Sequence, residues 1–223
     1  MTSHSIREQQ QAWARERQEM VDSQLAARGI DDPRVLAAMA EVPREEFVPR
    51  ELRDQAYRDQ PLPIGCDQTI SQPLTVAFMA AALHLRGWEK VLEVGTGSGY
   101  GAAVLSHLGR EIHTIERIPA LARQARQVLQ RLGFRNVQVH VGDGSQGLPA
   151  HQPFDAICVT AAAEELPAAY GEQLAEGGRI VIPVGPCHRR QEMLRYTKRD
   201  GRLRAEELGE FSFVPLICDQ AAE

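Results

Sequence analysis

The sequence predicts an α/β fold in which helices cover both faces of a mostly parallel sheet. From Trp88 onward, short apolar segments alternate with segments of helical periodicity, a pattern typical of such sheets. The tail adds two strand candidates bent around Asp200 and Gly201, which predicts an antiparallel hairpin at the sheet's edge. The strands predicted in the alternating region are KVLEVG (90–95), EIHTIE (111–116), VQVHVG (137–142), AICVT (156–160) and RIVIPVG (179–185).

The residues ahead of the sheet predict helices and an extended loop. The first helix covers 6–28 and ends at Gly29, and the second begins with Asp32 as its N-cap and a proline in its first turn. Prolines and a glycine crowd the segment 56–73, which predicts a loop that leads into a helix near 74–85.

One helix of the alternating region is marked at both ends. Pro119 opens it, and Gly133 ends it. Its apolar residues recur at helical spacing, so we expect one face to pack against the sheet. The residues of that face are Leu121, Ala125, Val128, Leu129 and Leu132.

Size and charge limit the class of protein. The 223 residues, 43% of them hydrophobic, can bury a core as one domain. A net charge of -5 without a cluster of Lys and Arg argues against nucleic-acid binding. The longest apolar stretch, 74–85, is shorter than the roughly 18 residues that a membrane span needs. Because the charged N-terminus is unlike a signal peptide, we expect the cytoplasm as the location.

The cysteines indicate neither a disulfide framework nor a metal site. Cys66, Cys158, Cys187 and Cys218 lie far apart and form no C-x-x-C pair. Cys187 and the adjacent His188 could begin a metal site, but no second pair of ligands appears. We therefore predict no metal.

The bend after the first strand of the sheet has the character of a ligand site. Gly95, Gly97 and Gly99 lie where open parallel sheets bind ligands. A dinucleotide fingerprint would need a glycine where this chain has Tyr100. Glu93, near the end of the strand, would repel a diphosphate and favour a cation. S-adenosylmethionine carries an ammonium, a sulfonium and a nucleoside, so it fits these charges better than a dinucleotide.

Acidic residues end the next two strands. Glu116 lies about 20 residues beyond the glycines, where a carboxylate can accept both hydroxyls of a ribose. Asp143 ends the third strand, where it could accept a hydrogen bond from an adenine amino group. Each alone could be a solvated strand cap, but together with the glycines they favour a cofactor site.

Two other chemistries do not fit the glycine segments. A serine hydrolase would show G-x-S-x-G at a strand-to-helix bend, and neither TGSGY nor GDGSQG has that register. A phosphate-binding loop would need G-x-x-x-x-G-K, and no lysine follows these glycines. We set both aside.

The sequence resembles the protein-L-isoaspartate O-methyltransferase family of bacteria and archaea over nearly its whole length. LEVGTGSGY (92–100) is shared by many methyltransferases, whereas QTISQP (68–73) and FVPL (213–216) are more specific. The other segments that carry the resemblance are MVDSQLAARGIDDPRVLAAMAEVPREEFVP (20–49), AYRDQPLPIG (56–65), TIER (114–117), GDG (142–144) and GGRIVIPVG (177–185).

The resemblance implies a Rossmann-like class I methyltransferase fold with a mostly parallel, seven-stranded sheet and an antiparallel C-terminal hairpin. It implies one domain over 1–223, with N-terminal helices and the active-site loop (1–87), a cofactor-binding core (88–185) and the hairpin (186–223). The implied enzyme is a monomer. It transfers a methyl group from S-adenosylmethionine to the free α-carboxylate of isoaspartyl residues in damaged proteins and peptides, and the ester then closes to a succinimide.

The resemblance also assigns site residues. Ser71 matches the family's active-site serine, which we interpret as a donor that orients the substrate carboxylate, although alone it could be a turn or helix-cap residue. Val214 and Pro215 are expected to offer backbone groups to a substrate peptide, and an ordinary edge strand is the alternative. The implied cofactor pocket consists of Gln68, Thr69, Ile70, Ser71, Glu93, Gly95, Thr96, Gly97, Ser98, Gly99, Glu116, Arg117, Gly142, Asp143 and Gly144.

Certain positions depart from the family's pattern, and other functions stay open. Relatives usually have Gly at the position of Asp67, Gln at that of Gly101 and Thr at that of Ile217. Asp67 could narrow substrate choice, and Ile217 could weaken a contact of the tail. The alternative functions are a methyltransferase for a small molecule or for aspartate of one dedicated peptide, and a binding module without catalysis.

Overall fold

The computed structural model describes residues 3–186 and 189–217, with side chains from residue 8 onward. Cys187, His188 and Cys218 lie outside the described residues. The helices are α1 (Ser3–Glu19), α2 (Pro33–Glu41), α3 (Pro73–Ala82), α4 (Tyr100–Ser106), α5 (Pro119–Leu132) and α6 (Ala168–Gln173). The strands are β1 (Leu62–Gly65), β2 (Gln68–Ile70), β3 (Lys90–Val94), β4 (Glu111–Glu116), β5 (Val137–Val141), β6 (Phe154–Val159), β7 (Leu174–Val184), β8 (Gln191–Arg199) and β9 (Arg202–Phe211).

Seven strands form one sheet in the order β5-β4-β3-β6-β7-β8-β9. All neighbours from β5 to β7 are parallel, and β8 and β9 are antiparallel to theirs. This confirms the predicted sheet and its C-terminal hairpin. The chain leaves β3 for β4 on one side and later adds β6 on the other, so the strand order reverses at β3, where such sheets open a ligand crevice. No helix in the described ranges has both the length and the apolarity needed to cross a bilayer.

Apolar cores lie on both faces of the sheet. Successive residues of a strand point to opposite faces. Val91 accordingly belongs to the core under α3, α4 and α5, which we term the first core. Leu92 and Val94 belong to the second core, which also contains Phe154 and is covered by α6. Helices therefore cover both faces, as predicted, while Glu93 is a buried acid within an otherwise apolar strand end.

The N-terminal helix is less regular than the sequence predicts. After α1 the chain continues as a π-helical segment, Met20–Leu25, and a short 3₁₀ turn, Ala26–Arg28. Gly29 then ends the helix with φ 93, which confirms the predicted stop. The wider π turn carries three apolar side chains into the first core, and a regular helical period does not reveal it.

Part of the predicted loop 56–73 is a small hairpin. β1 and β2 pair antiparallel, with Leu62 opposite Ile70 and both side chains buried. The turn between them holds Cys66 and Asp67 at φ 52 and 56, so both backbones are left-handed. The loop is thus ordered and largely extended.

A buried arginine anchors both ends of this loop. The side chain of Arg44 is fully buried, and its Nε donates to the carbonyl of Ala56 at 2.7 Å. Its Nη2 donates to the carbonyl of Ser71 at 2.8 Å, and the guanidinium lies 4.7 Å from the ring centre of Tyr100. The position of Ser71 is therefore fixed through its own backbone.

α2 begins where the sequence predicts. Oδ1 of Asp32 accepts hydrogen bonds from the amides of Arg34 at 2.9 Å and Val35 at 3.4 Å, which confirms Asp32 as the N-cap. Val35 and Met39 carry this helix into the first core.

Replacing Asp32 with alanine should lower the free energy of unfolding by about 1 kcal/mol, because amides of the first turn lose their acceptor. Urea denaturation followed by circular dichroism measures the change. Asp31→Ala is the matched control, since this exposed neighbour caps nothing, and it should change stability by less than about 0.5 kcal/mol. Equal losses in both variants would contradict the assigned cap.

Candidate active site

A cavity of about 380 Å³ opens at the carboxyl ends of β3, β4 and β6. Its walls are the segment from β2 into α3, the bend after β3, and the tail 212–217. Segments far apart in the sequence thus meet at the point where the strand order reverses. The predicted site residues that line the cavity are Gln68, Thr69, Ile70, Ser71, Glu93, Gly95, Thr96, Gly97, Ser98, Glu116, Arg117, Gly144, Val214 and Pro215.

The bend after β3 has a backbone that side chains would obstruct. Gly95 and Gly97 have φ 96 and 52, the region that glycine adopts without strain. A Cβ on Gly95 would lie 2.4 Å from Oγ1 of Thr160, whose hydroxyl donates to the Gly95 carbonyl at 2.8 Å. Any side chain at 95 would therefore both strain the backbone and displace Thr160.

Glu116 holds the bend from the end of β4. Its Oε2 accepts a hydrogen bond from the amide of Gly97 at 2.8 Å, and its Oε1 accepts one from the amide of Ile118 at 2.9 Å. Each carboxylate oxygen has two lone pairs, so one on each remains for a hydroxyl in the cavity. This arrangement suits a vicinal diol.

Glu93 is a buried acid in the wall of the cavity, with 1% of its surface exposed. The hydroxyl of Thr114 donates to its Oε2 at 2.6 Å, and the hydroxyls of Thr96 and Thr114 lie 2.6 Å apart. Burial raises the pKa of Glu93 to about 8; the Thr114 hydrogen bond opposes this shift, and the charge of Glu116 adds to it. At neutral pH this shift favours the protonated carboxyl, and a cation beside it would favour the ionised form.

The residues that depart from the family's pattern differ in position. Gly101 lies against the buried acid, because a Cβ there would be 2.2 Å from Oε1 of Glu93. The missing side chain therefore makes room for this carboxyl. Ile217 is 50% exposed and lines the cavity. Asp67 lies exposed in the hairpin turn and is not part of the cavity wall.

Ser71 lies between β2 and α3, and its side chain faces the cavity. Arg44 holds its carbonyl, as described above. Within the described part of the chain the hydroxyl forms no hydrogen bond. It is therefore available to donate to a ligand.

The tail closes one side of the cavity by pairing with the segment after β6. The amide of Ala162 donates to the carbonyl of Val214 at 2.8 Å, and the amide of Leu216 donates to the carbonyl of Ala162. Because successive peptide groups of an extended chain face opposite sides, the carbonyl of Pro215 faces away from Ala162. The carbonyl of Val214 is thus engaged within the chain, and Pro215 presents the open carbonyl.

Some predicted site residues do not reach the cavity. Gly99 is the N-cap of α4, and Gly142 and Asp143 are absent from the wall. Asp143 instead accepts hydrogen bonds from the amide and hydroxyl of Ser145 at 2.9 and 2.8 Å, which shapes the turn that brings Gly144 into the wall.

Other lining residues were missed from the sequence. Thr160 could have been found, because it is the polar residue that ends the predicted strand AICVT at the ligand edge of the sheet. Most of the remaining residues belong to the loop and the tail, and only tertiary packing brings these segments to the cavity. Among them are Pro61, Gln72, Thr75, Val76, Ser212, Phe213 and Leu216.

Comparison with known sequences gives a consistent result. The profile of the Protein-L-isoaspartate(D-aspartate) O-methyltransferase (PCMT) family matches residues 15–221. Protein-L-isoaspartate O-methyltransferase of Methanoculleus marisnigri is 52% identical over 205 residues, covering 91% of this chain and 92% of that protein. Protein-L-isoaspartate O-methyltransferase 2 of Marinobacter nauticus is 54% identical over 205 residues, covering 92% and 94%.

Solved structures of the same enzyme are also similar. One protein-L-isoaspartate O-methyltransferase superposes with a TM-score of 0.80 at 32% identity, covering 89% of this chain and 65% of that longer chain. A Plasmodium falciparum PCMT, solved in complex with S-adenosyl-L-homocysteine, gives a TM-score of 0.78 at 26% identity and covers 90% of this chain and 98% of that one. The fold likeness thus extends well beyond the cavity.

The buried acid makes a prediction about stability and pH. The pKa of Glu93 is higher in the folded than in the unfolded chain, so its contribution is fully present below about pH 4.5 and is lost as pH rises towards 8. Glu93→Gln cannot ionise. As the pH rises from 5 to 8, we therefore expect the free energy of unfolding of the parent to fall by on the order of 3 kcal/mol relative to that of the variant.

Chemical denaturation of the ligand-free protein at both pH values measures this difference. Glu165→Gln, at an exposed position, is the control and should show no such change. A constant difference between Glu93→Gln and the parent across this range would show that Glu93 is already ionised.

Proposed function

The chain belongs to the protein-L-isoaspartate(D-aspartate) O-methyltransferase family, and from this premise we propose how its own residues perform the reaction. The enzyme uses S-adenosylmethionine to methylate the free α-carboxylate of isoaspartyl residues in damaged proteins and peptides. The ester then closes to a succinimide, which begins repair. The observation that carries this function is the family match over 15–221, which includes every segment that lines the cavity.

The cavity residues fit S-adenosylmethionine. The volume of about 380 Å³ lies within the roughly 300–1,000 Å³ of small-molecule sites. Glu116 offers two oxygens to the ribose hydroxyls, and Glu93 offers a carboxyl to the positive charge. When bound, this cofactor supplies a methyl group on a cationic sulfur. Gly144 lines the cavity in the turn after β5, and a hydrogen bond from the adenine amino group to Asp143 stays a prediction.

Positioning is the main task of the remaining residues. A carboxylate with a pKa of about 3.5–4 is ionised at neutral pH, so the substrate needs no general base. Holding the reacting partners about 3–3.5 Å apart lowers the activation free energy by roughly 7–11 kcal/mol. We assign this role to Ser71, whose free hydroxyl donates to one substrate oxygen and aims the other at the methyl group. With the substrate bound, we expect the loop and the tail to keep water from the reacting groups, because water would stabilise the separated ions.

Arg44 is proposed as the positioning residue for Ser71. It contacts neither cofactor nor substrate, because it lies behind the loop and is not part of the cavity wall. Its hydrogen bonds to the carbonyls of Ala56 and Ser71 fix the two ends of the loop. The serine hydroxyl is thereby presented to the cavity without using its own side chain for support.

The tail is proposed to bind the backbone of the substrate. Pro215 presents its carbonyl on the side away from Ala162, and Val214 is 36% exposed beside it. Backbone recognition of this kind tolerates many peptide sequences, as a repair enzyme requires. Isoaspartyl proteins are thus the partners. That the chain acts as a monomer, as a single domain over 1–223 and in the cytoplasm stays a prediction.

An assay with paired peptides tests the function. One peptide contains an isoaspartyl residue and its twin the normal aspartyl residue, and both are supplied with S-adenosylmethionine labelled in the methyl group. We expect base-labile methyl ester, followed by methanol release, only with the isoaspartyl peptide. Equal labelling of both peptides would favour the alternative of a different carboxylate substrate, and the absence of any transfer would favour a binding module.

Ser71→Ala should separate catalysis from cofactor binding. Loss of one donor from the site should lower kcat on the order of 100-fold, while the affinity for S-adenosylmethionine changes no more than a few-fold. Steady-state kinetics and calorimetric titration measure the two quantities. Ser106→Ala is the control, since this serine donates to the carbonyl of Ala103 and lies outside the cavity. A collapse of cofactor binding in Ser71→Ala would contradict the assigned role.

A further inference from the structure

Three histidines distant in sequence meet on the face of the sheet that carries the second core. His113 lies on β4, His140 on β5, and His151 ends the 3₁₀ turn Pro149–His151 before β6. One ring nitrogen of each can be chosen so that all three lie within 4.8 Å of one another. The ring centres are 4.5 to 5.3 Å apart. None of the three lines the methyl-transfer cavity.

The nitrogens are close to the spacing of ligands on one ion. Nδ1 of His113 lies 3.0 Å from Nε2 of His140. Two nitrogens bound to a tetrahedral zinc ion at about 2.0–2.1 Å are about 3.3 Å apart. The separation of the His113 and His140 nitrogens is within a few tenths of an ångström of that value, whereas the third nitrogen, up to 4.8 Å from the others, must come closer as the ring of His151 turns.

A carboxylate already supports the cluster in the way metal sites require. The other nitrogen of His113, Nε2, lies 2.8 Å from Oε1 of Glu111. Histidines that bind metals almost always donate their second N–H to such a group, which fixes the ring and its tautomer. Glu111 thus leaves Nδ1 of His113 as the nitrogen whose lone pair faces His140. His140 needs only to carry its proton on Nδ1 for its Nε2 to face the same point.

We propose that His113, His140 and His151 bind one zinc ion, with a fourth position open to water. Three imidazoles without a carboxylate ligand suit a borderline transition ion, whereas calcium and magnesium require oxygen ligands. The ion would join β4, β5 and the connection between β5 and β6. That connection begins with the turn that brings Gly144 into the cavity wall. A bound ion would therefore stabilise this part of the wall.

The test uses the tag-free full chain, stripped with a chelator and titrated with Co²⁺ as a spectroscopic probe. We expect one Co²⁺ per chain with the visible absorption of a tetrahedral site, displacement by Zn²⁺, and a higher thermal midpoint with Zn²⁺. Glu111→Gln should weaken Zn²⁺ binding about 10–100-fold, as loss of a supporting carboxylate does. His140→Gln and His151→Gln remove ligands and should weaken it at least about 100-fold.

Controls make the result decisive. His107→Gln should leave binding unchanged, since this exposed histidine lies at the end of α4 and pairs with Glu41. Circular dichroism verifies folding, and His151→Gln, on a surface turn, serves if His140→Gln does not fold. The proposal is overturned if no ion binds at 100 μM added metal, or if the ion survives in both histidine variants. It is likewise overturned if binding is lost only in Cys187→Ser.

Discussion

The site depends on the hydrogen bonds that join the carboxyl ends of three neighbouring strands. Glu116 at the end of β4 holds the amide of Gly97, Thr114 of the same strand donates to Glu93 of β3, and Thr160 after β6 donates to the carbonyl of Gly95. Buried polar groups are costly unless they are paired, so each of these bonds restricts its strand end to one arrangement. The bend between them therefore has a fixed shape before any ligand arrives.

The burial of Glu93 in this fixed arrangement determines which protonation state is favoured. Burial raises the pKa of its carboxyl more than the hydroxyl of Thr114 lowers it, and this favours the protonated form. A cation beside it would favour the ionised form. Such an acid would accommodate a cation without the cost of a permanently buried charge.

Much of the fold could be predicted because its signals are local. The strands of the parallel sheet, the helix opened by Pro119, and the cap at Asp32 each depend on residues within one short segment. The π turn after α1 and the hairpin of β1 and β2 could not be predicted, since tertiary packing sets them. Arg44 was missed for the same reason: nothing near it in the sequence indicates that it joins Ala56 to Ser71.

The site shows the same division between local and distant signals. Glu93 and Glu116 lie at strand ends and line the cavity, whereas Asp143 follows a strand and does not line it, although its side chain shapes the turn that brings Gly144 into the wall. Position at a strand end therefore places a residue at the correct edge of the sheet but does not decide which way its side chain points.

β4 shows why these features are connected. Strands buried on both faces of a parallel sheet are normally apolar, yet β4 reads EIHTIE, with four polar residues among six. Thr114 and Glu116 face the first core and hold Glu93 and the bend after β3. His113 faces the second core, where its ring nitrogens contact Glu111 and His140. Because alternate residues point to opposite faces, one rigid strand carries both sets of contacts. An ion bound at His113 on one face would therefore hold the same strand backbone that positions Thr114 and Glu116 on the other face.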